Sequence, residues 1–128
     1  CRNARHDRHI FVTLISMEEL SVIQITYEVH KKLAELNANL NQKYRHTLSE
    51  PAVHHSQALL RQLILAKHAS RTMKKPYLIQ AEAEAELTAL ILRTILELHL
   101  ANETNVLKLQ AKLTEARRQI SGWRKSVD

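Results

Sequence analysis

The most constraining feature of this chain is an apolar stripe that repeats at helical spacing in its last third. The members of the stripe are Val106, Leu109, Leu113, Ala116, Ile120 and Trp123. Steps of three and four residues place them on one face of a helix, and that face has to be covered by other parts of the fold. Trp123 continues the stripe in register, which favours a place in the core over a place on a contact surface.

The segment before this helix, which starts at Tyr77, is apolar around most of its circumference. One stripe at helical spacing consists of Leu78, Ala81, Ala85, Thr88, Leu92, Ile95 and His99. The apolar residues off that stripe are Leu87, Leu90, Ile91 and Leu98. A helix of this kind is buried on more than one side. We therefore predict that it packs inside its own bundle and also against another chain, with His99 as a hydrogen-bonded core or interface residue.

Short signals predict where these helices begin. A turn at residues 100–102 separates the last two helices, and Asn102 is the expected N-cap of the final one. Farther upstream, Ser16 and Glu19 have capping-box spacing and predict the start of a first helix that runs to about Asn41. Its apolar stripe consists of Val22, Ile25, Val29, Leu33, Leu36 and Leu40.

A second helix is predicted from Ser49 to about Met73. Ser49 is the expected N-cap, and Pro51 falls in the first turn, where its missing N–H costs nothing. The residues predicted to face inward are Ala52, Ser56, Leu59, Leu60, Leu63, Ala66, Ala69 and Met73. Lys74-Lys75-Pro76 is expected to end the helix, because cations suit a helix C-terminus and the residue before proline leaves the α region.

The whole chain is predicted to be all-α, as an antiparallel up-down-up-down four-helix bundle. One glycine and two prolines in 128 residues are too few for a turn-rich β or α/β fold, and short connections force neighbouring helices to run antiparallel. Residues 16–128 are assigned to the bundle domain. Residues 1–15 have no helical period and are interpreted as an N-terminal appendage, with Met17 as an alternative first residue.

The chain offers no recognisable catalytic or metal-binding pattern, so we predict no enzyme activity, no metal and no cofactor. A single glycine excludes a glycine-rich phosphate loop, and Cys1 lacks a positioned base. The eight histidines include no set with tetrahedral ligand spacing. Glu82 and Glu86 share a helix face, and a solvated or intersubunit face is the favoured interpretation over paired acid–base carboxylates.

The same composition predicts a cytoplasmic location. Cys1 is the only cysteine, so the chain has no internal disulfide and nothing indicates an oxidising compartment. The apolar run at residues 10–15 is shorter than a signal-peptide core. Arg93 and Glu97 interrupt the longest apolar segment, which excludes a membrane span there.

Charge is strongly segregated along the chain, whose formal net charge is +6. Residues 51–80 contain five Lys or Arg and no acid, residues 81–103 contain five Glu against Arg93 alone, and basic residues then return. This pattern favours an anionic partner, nucleic acid first, although simple solvated faces are an alternative. Few aromatic residues favour contacts to the nucleic-acid backbone over base stacking. The predicted contacts are Arg61, Lys67, Arg71, Lys74, Lys75, Arg117, Arg118, Arg124 and Lys125.

Several short motifs in the second half form a recognisable series. Lys75-Pro76-Tyr77-Leu78 leads into the alternating Ala/Glu segment at 81–87, Leu92-Arg93 and Glu97-Leu98 follow, and Arg-Gln-Ile-Ser-Gly-Trp closes the series at 118–123. With these motifs, residues 17–125 resemble small four-helix-bundle proteins. That family includes the accessory variability determinant (Avd) of diversity-generating retroelements and relatives encoded in bacterial 23S ribosomal RNA intervening sequences. Arg117 replaces a usual glycine, and Tyr44–Leu48 replaces an often-found Phe-Pro.

The resemblance implies a homopentameric barrel of bundles with a basic surface. It also implies binding to a reverse transcriptase and to nucleic acid, as template RNA or cDNA, during mutagenic reverse transcription, without an activity of its own. The alternative is a protein-only oligomeric scaffold of the intervening-sequence type. A helical toxin or antitoxin partner is a third possibility, for which the sequence contains no positive feature.

Overall fold

The computed structural model describes the backbone of residues 2–128 and the side chains of residue 19 and residues 21–128. Four long helices dominate it: α1 (Arg2–Asn39), α2 (Glu50–His68), α3 (Lys74–Glu97) and α4 (Glu103–Ser126). A single α turn (Gln42–Tyr44) and a π-helical turn (Arg45–Ser49) join α1 to α2, and a 3-10 turn (Arg71–Met73) precedes α3. The described backbone contains no strand, and the all-α prediction is confirmed.

The helices pack in a ring. Helix α1 contacts α2 and α4, and α3 contacts the same two helices. Between α1 and α2, the His30 ring lies 2.8 Å from the Ser56 hydroxyl, while the Ser49 hydroxyl donates to the Asn37 amide oxygen at 2.6 Å. Asn37, which follows His30 in α1, contacts Ser49, which precedes Ser56 and ends the turn before α2. The residue order of the contacts is therefore reversed between α1 and residues 49–56.

The core lies on the ring's axis and is built from the apolar stripes of the four helices. All six residues of the predicted α4 stripe are buried, and so are the α3 residues from Leu78 to Ile95 on the predicted stripe. Trp123 is 7% exposed, which confirms its place in the core. Burial of each large apolar side chain contributes roughly 1.5–3 kcal/mol, so these faces supply the main driving force for folding. None of the helices in the described residues combines the length and apolar character needed to cross a bilayer.

The predicted start of the first helix at Ser16 is wrong, because α1 begins at Arg2. Residues 2–15 contain neither glycine nor proline, so nothing in them interrupts helical backbone. The predicted N-terminal appendage comprises residues 1–15. Their side chains lie outside the described residues, and only their helical backbone from Arg2 onward is described.

The boundary between α2 and α3 also differs from the prediction. Ala69 and Ser70 are extended and end the helix early, so Met73 does not face inward and is 55% exposed, and Ala69 and Leu60 are only partly buried. Lys74-Lys75-Pro76 opens α3 instead of closing α2. Proline fits there because N–H groups in a first helical turn have no intrahelical partner.

Ser49 does not cap α2 as predicted. Its backbone is already helical, because the π-helical turn runs directly into α2, and its side chain makes no cap hydrogen bond. The buried Ser49 hydroxyl instead ties α2 to α1 through Asn37. The predicted cap of α4 is confirmed, since the Asn102 side chain accepts a hydrogen bond from the Asn105 N–H at 3.0 Å.

His99 is exposed on this chain. Of the two predicted places for His99, core or interface, the core is therefore wrong, and the interface stays a prediction. Helix α3 ends at Glu97, and His99 adopts a left-handed conformation with φ of 55°. The His99 and Leu100 N–H groups donate to the carbonyls of Leu96 and Ile95, both at 3.1 Å. This is the Schellman arrangement that satisfies the last carbonyls of a helix, with histidine at the position usually occupied by glycine.

The apolar residues of α3 that lie off the core stripe form a second stripe on the surface of this chain, which we name the outer stripe. Its members follow steps of three and four residues and are Ile79, Ala83, Leu87, Leu90, the polar Thr94 and, one residue beyond the end of α3, Leu98. The four large aliphatic side chains among them are between 40% and 54% exposed. The outer stripe is thus a continuous apolar surface along the length of α3.

Replacement of His99 by glycine should stabilise the fold by about 0.5–1 kcal/mol, because glycine adopts the left-handed conformation without a Cβ clash. The free energy of unfolding from urea titrations, followed by circular dichroism, measures the effect. The control is His54→Gly, which removes an equally exposed histidine from the interior of α2 and should destabilise by about 1 kcal/mol. Equal effects of both changes would contradict the assignment.

A pair of buried threonines provides a second test of the core. Thr26 and Thr88 are both fully buried, but the Thr88 hydroxyl donates to the Glu84 carbonyl at 2.8 Å, whereas the Thr26 hydroxyl has no hydrogen-bond partner. Thr26→Val should therefore raise the free energy of unfolding by about 1 kcal/mol, since an unsatisfied buried hydroxyl is costly. Thr88→Val is the control and should give no gain. A Thr26→Val protein no more stable than the wild type would contradict this account.

Candidate nucleic-acid interface

Six of the nine predicted cations meet at one end of the bundle, which we name the basic end. They come from the end of α2, the connection to α3, the first turn of α3 and the last turn of α4, and they are Lys67, Arg71, Lys74, Lys75, Arg124 and Lys125. The Arg71 guanidinium donates to the Ser126 carbonyl at 3.2 Å. The Lys75 ammonium lies 2.5 Å from the Asp128 carboxylate. These two contacts join the start of α3 to the end of α4.

Two cations of the basic end bind helix C-termini. The Lys74 ammonium donates to the Ala66 carbonyl at 2.6 Å and to the Lys67 carbonyl at 3.2 Å. Arg71 binds the end of α4 in the same manner through Ser126. Carbonyls in the last turn of a helix lack intrahelical donors and carry partial negative charge, so both contacts are favourable. Lys74 and Arg71 are consequently held in place by the bundle itself.

Three of the nine predicted cations have carboxylate partners. Lys75 pairs with Asp128, Arg124 pairs with Glu82, and Arg118 pairs with Glu115 through two hydrogen bonds of 3.0 and 2.6 Å. The Lys75 hydrogen bond lowers the pKa of Asp128. The pKa of Glu115 falls to about 2, chiefly because Arg118 and then Gln119 donate to it. Asp128 and Glu115 therefore stay ionised and offset part of the positive charge.

The remaining three predicted residues, Arg61, Arg117 and Arg118, lie away from the basic end. Arg61 is six residues before Lys67 in α2 and Arg117 is seven residues before Arg124 in α4, which corresponds to about 9–10 Å along each helix. All three are exposed. Among the predicted cations that make no ion pair with a described side chain are Arg61, Arg117, Lys67 and Lys125. Lys67 and Lys125 are thus the basic-end cations with the greatest freedom to bind a ligand.

Carboxylates at the basic end are the residues that sequence reasoning missed. The sequence predicts a solvated or intersubunit face for Glu82, yet its carboxylate accepts a hydrogen bond from Arg124, 42 positions along the chain. Glu19 lies near Lys74 and Lys67, and its pKa is raised by burial although both cations act to lower it. The local sequence contains no signal for such pairs, because they depend on which helices are neighbours.

Two of the described histidines contact carboxylates, each in a pair of two groups. The His55 ring lies 2.6 Å from the Glu84 carboxylate, and the His46 ring lies 3.0 Å from that of Glu50. Within the part of the chain whose side chains are described, no three His, Cys, Asp or Glu side chains converge as a metal site requires. The basic end, with its six cations, is accordingly the largest cluster of charged side chains in the described part of the chain.

Comparisons with protein-family models, with curated proteins and with solved structures find no match. The basic end is therefore interpreted from its own chemistry. Lys and Arg side chains gathered on one surface attract anions, and several adjacent phosphates bind more strongly than a single small anion because each contact releases counterions.

Proposed function

We propose that this chain is a non-enzymatic accessory protein of a diversity-generating retroelement. In this proposal it binds the reverse transcriptase and nucleic acid, as template RNA or cDNA, and supports mutagenic reverse transcription in the cytoplasm. The observation that carries the nucleic-acid part is the convergence of six cations from three helices and a turn at the basic end. The resemblance of residues 17–125 to the Avd family supports the retroelement context.

The contacts at the basic end suit a chain of phosphates. Arg71 and Lys74 are held by neutral backbone carbonyls, so they form a fixed positive surface. Lys67 and Lys125 flank that surface without a described carboxylate partner. Lys75 would exchange Asp128 for phosphate at little cost, because an exposed ion pair contributes only about 0–1 kcal/mol. Arg124 is held by Glu82 in a partly buried pair.

The proposal includes an up-down-up-down order of helices and assembly into a homopentameric barrel. The reversed order of contacts between α1 and α2 supports the first. The outer stripe of α3 supports the second, because a soluble monomer seldom exposes a continuous apolar stripe of this length, and such surfaces commonly mark protein contacts. The number of subunits follows from the family resemblance.

Removal of two basic-end charges should weaken RNA binding. In a variant with Lys67→Gln and Lys125→Gln, we expect at least about a tenfold loss of affinity for single-stranded RNA at low salt. The slope of log K against log salt should become shallower by about 1.4, since each phosphate contact contributes about 0.7. Fluorescence anisotropy of a labelled RNA, titrated at several salt concentrations, measures both quantities.

The matched control carries Lys31→Gln and Lys43→Gln, which remove the same charge from exposed sites outside the basic end. Its salt slope should equal that of the wild type. An equal loss in both variants would mean that RNA responds to net charge alone, and the site assignment would be wrong. No RNA binding by the wild type even at low salt would overturn the nucleic-acid function.

A protein-only oligomeric scaffold of the intervening-sequence type is the second candidate. One observation favours it: five of the nine predicted cations already have partners in this chain, three with carboxylates and two with backbone carbonyls. In that case the cations stabilise the bundle, and the outer stripe is the functional surface. The RNA titration above separates the two candidates.

Two negative charges at the centre of the outer stripe test whether the protein assembles through this surface. We expect Leu87→Glu combined with Leu90→Glu to convert the assembled protein to monomers, because a buried unpaired carboxylate strongly disfavours an apolar interface. Light scattering coupled to size-exclusion chromatography measures the native mass. The control is Leu107→Glu on α4, which is 46% exposed and outside the stripe. An unchanged mass in the double variant would place the interface elsewhere.

A further inference from the structure

A cleft of about 540 Å³ opens between the end of α1 and the start of α4. One wall is formed by residues of α1 from 32 to 39, together with Leu40 just beyond the helix. The other is formed by residues 100–112 of the α3–α4 turn and α4. The cleft and the basic end lie at opposite ends of α4, because the basic end contains Arg124 and Lys125. We name it the α1/α4 cleft. A ligand there would not compete directly with one at the basic end.

The floor of the α1/α4 cleft is apolar and rigid. Its aliphatic residues are Leu36, Leu40, Leu100, Val106 and Leu109. Leu40, Val106 and Leu109 are nearly inaccessible to solvent, so they pack against other side chains and are held in place. Leu36 and Leu100 are only partly buried. A volume of this size with an apolar lining is typical of binding sites and would accommodate two or three aliphatic side chains.

The rim of the cleft carries an excess of positive charge. Lys32, Lys108 and Lys112 line it, against the single carboxylate of Glu35. Lys32 lies 3.3 Å from Glu35, and Lys112 lies 3.2 Å from Glu28, which is outside the lining. Lys108 is exposed and has no ion pair with a described side chain. An occupant with carboxylates beside an apolar face would therefore be complementary to this site.

We propose that the α1/α4 cleft binds an acidic amphipathic helix of a protein partner. Both walls are helices and the described backbone has no strand, so an extended peptide would find no sheet edge to satisfy its N–H and C=O groups. A helix satisfies its own backbone and inserts only side chains. The cleft would be the surface that meets the protein partner, and the inference rests on the protein-binding part of the proposed function.

The test uses a designed probe. A fluorescent peptide of about 15 residues carries leucines on one face and glutamates beside them. A hydrocarbon staple holds it helical, because isolated helices of about this length are marginal in water. A second peptide has lysine in place of each glutamate. We expect the acidic peptide to bind with an affinity at least about tenfold higher than that of the basic peptide, because only its charges complement the rim. Fluorescence anisotropy with the full chain measures both.

Two variants test the location of the bound peptide. Asn105→Trp fills the cleft from an exposed position, and Lys108→Glu reverses a rim charge. Each should weaken the acidic peptide at least about tenfold while the RNA affinity stays unchanged. Lys31→Trp and Lys31→Glu are the matched controls on an exposed position of α1 outside the cleft, and they should have no effect. Circular dichroism verifies that all four proteins retain their helix content.

Three outcomes would overturn the inference. The first is peptide binding that does not depend on the cleft, shown by equal binding of the acidic and basic peptides or by acidic-peptide binding that Asn105→Trp leaves intact. The second is a change of native mass caused by Asn105→Trp, which would mean that a second copy of this chain covers the cleft. The third is binding of dodecanoate with the expected sensitivity to both variants but no binding of the acidic peptide. If the acidic peptide binds as expected but RNA does not bind, only the proposed nucleic-acid function is overturned, and the inference about the cleft stands.

Discussion

Burial of one apolar face from each of four helices is the interaction on which the rest of this structure depends. Each face is a stripe at helical spacing, and the stripes meet on the axis of a ring in which every helix contacts two others. The chain has no disulfide, and no metal cluster occurs among its described side chains. Packing of these stripes consequently fixes which helix ends are brought together, and with them the basic end and the α1/α4 cleft.

The basic end illustrates how one set of cations can have two roles. Lys74 and Arg71 bind the carbonyls at the ends of α2 and α4, so they stabilise the bundle. Lys67 and Lys125 stand beside them with no described carboxylate partner. Structural and ligand-binding roles are therefore compatible at this surface, because a carbonyl orients a cation without neutralising it.

The surface of the bundle carries three regions of different chemical character. The cations of the basic end suit phosphates, the outer stripe of α3 suits another apolar surface, and the α1/α4 cleft combines an apolar floor with a cationic rim. These three surfaces involve different residues, so each can be changed without disturbing the other two.

The sequence by itself determined the helical class, the core stripes of α3 and α4 and the cap at Asn102, because periodicity and capping are local properties. Only the tertiary structure decided that Ser49 bonds to Asn37, that Lys74 binds the end of α2 and that Arg124 pairs with Glu82. It also revealed that His99 leaves the helix through a left-handed turn. These features depend on distances between residues far apart in the chain, or on where a helix stops against its neighbours, and neither is encoded in a local pattern.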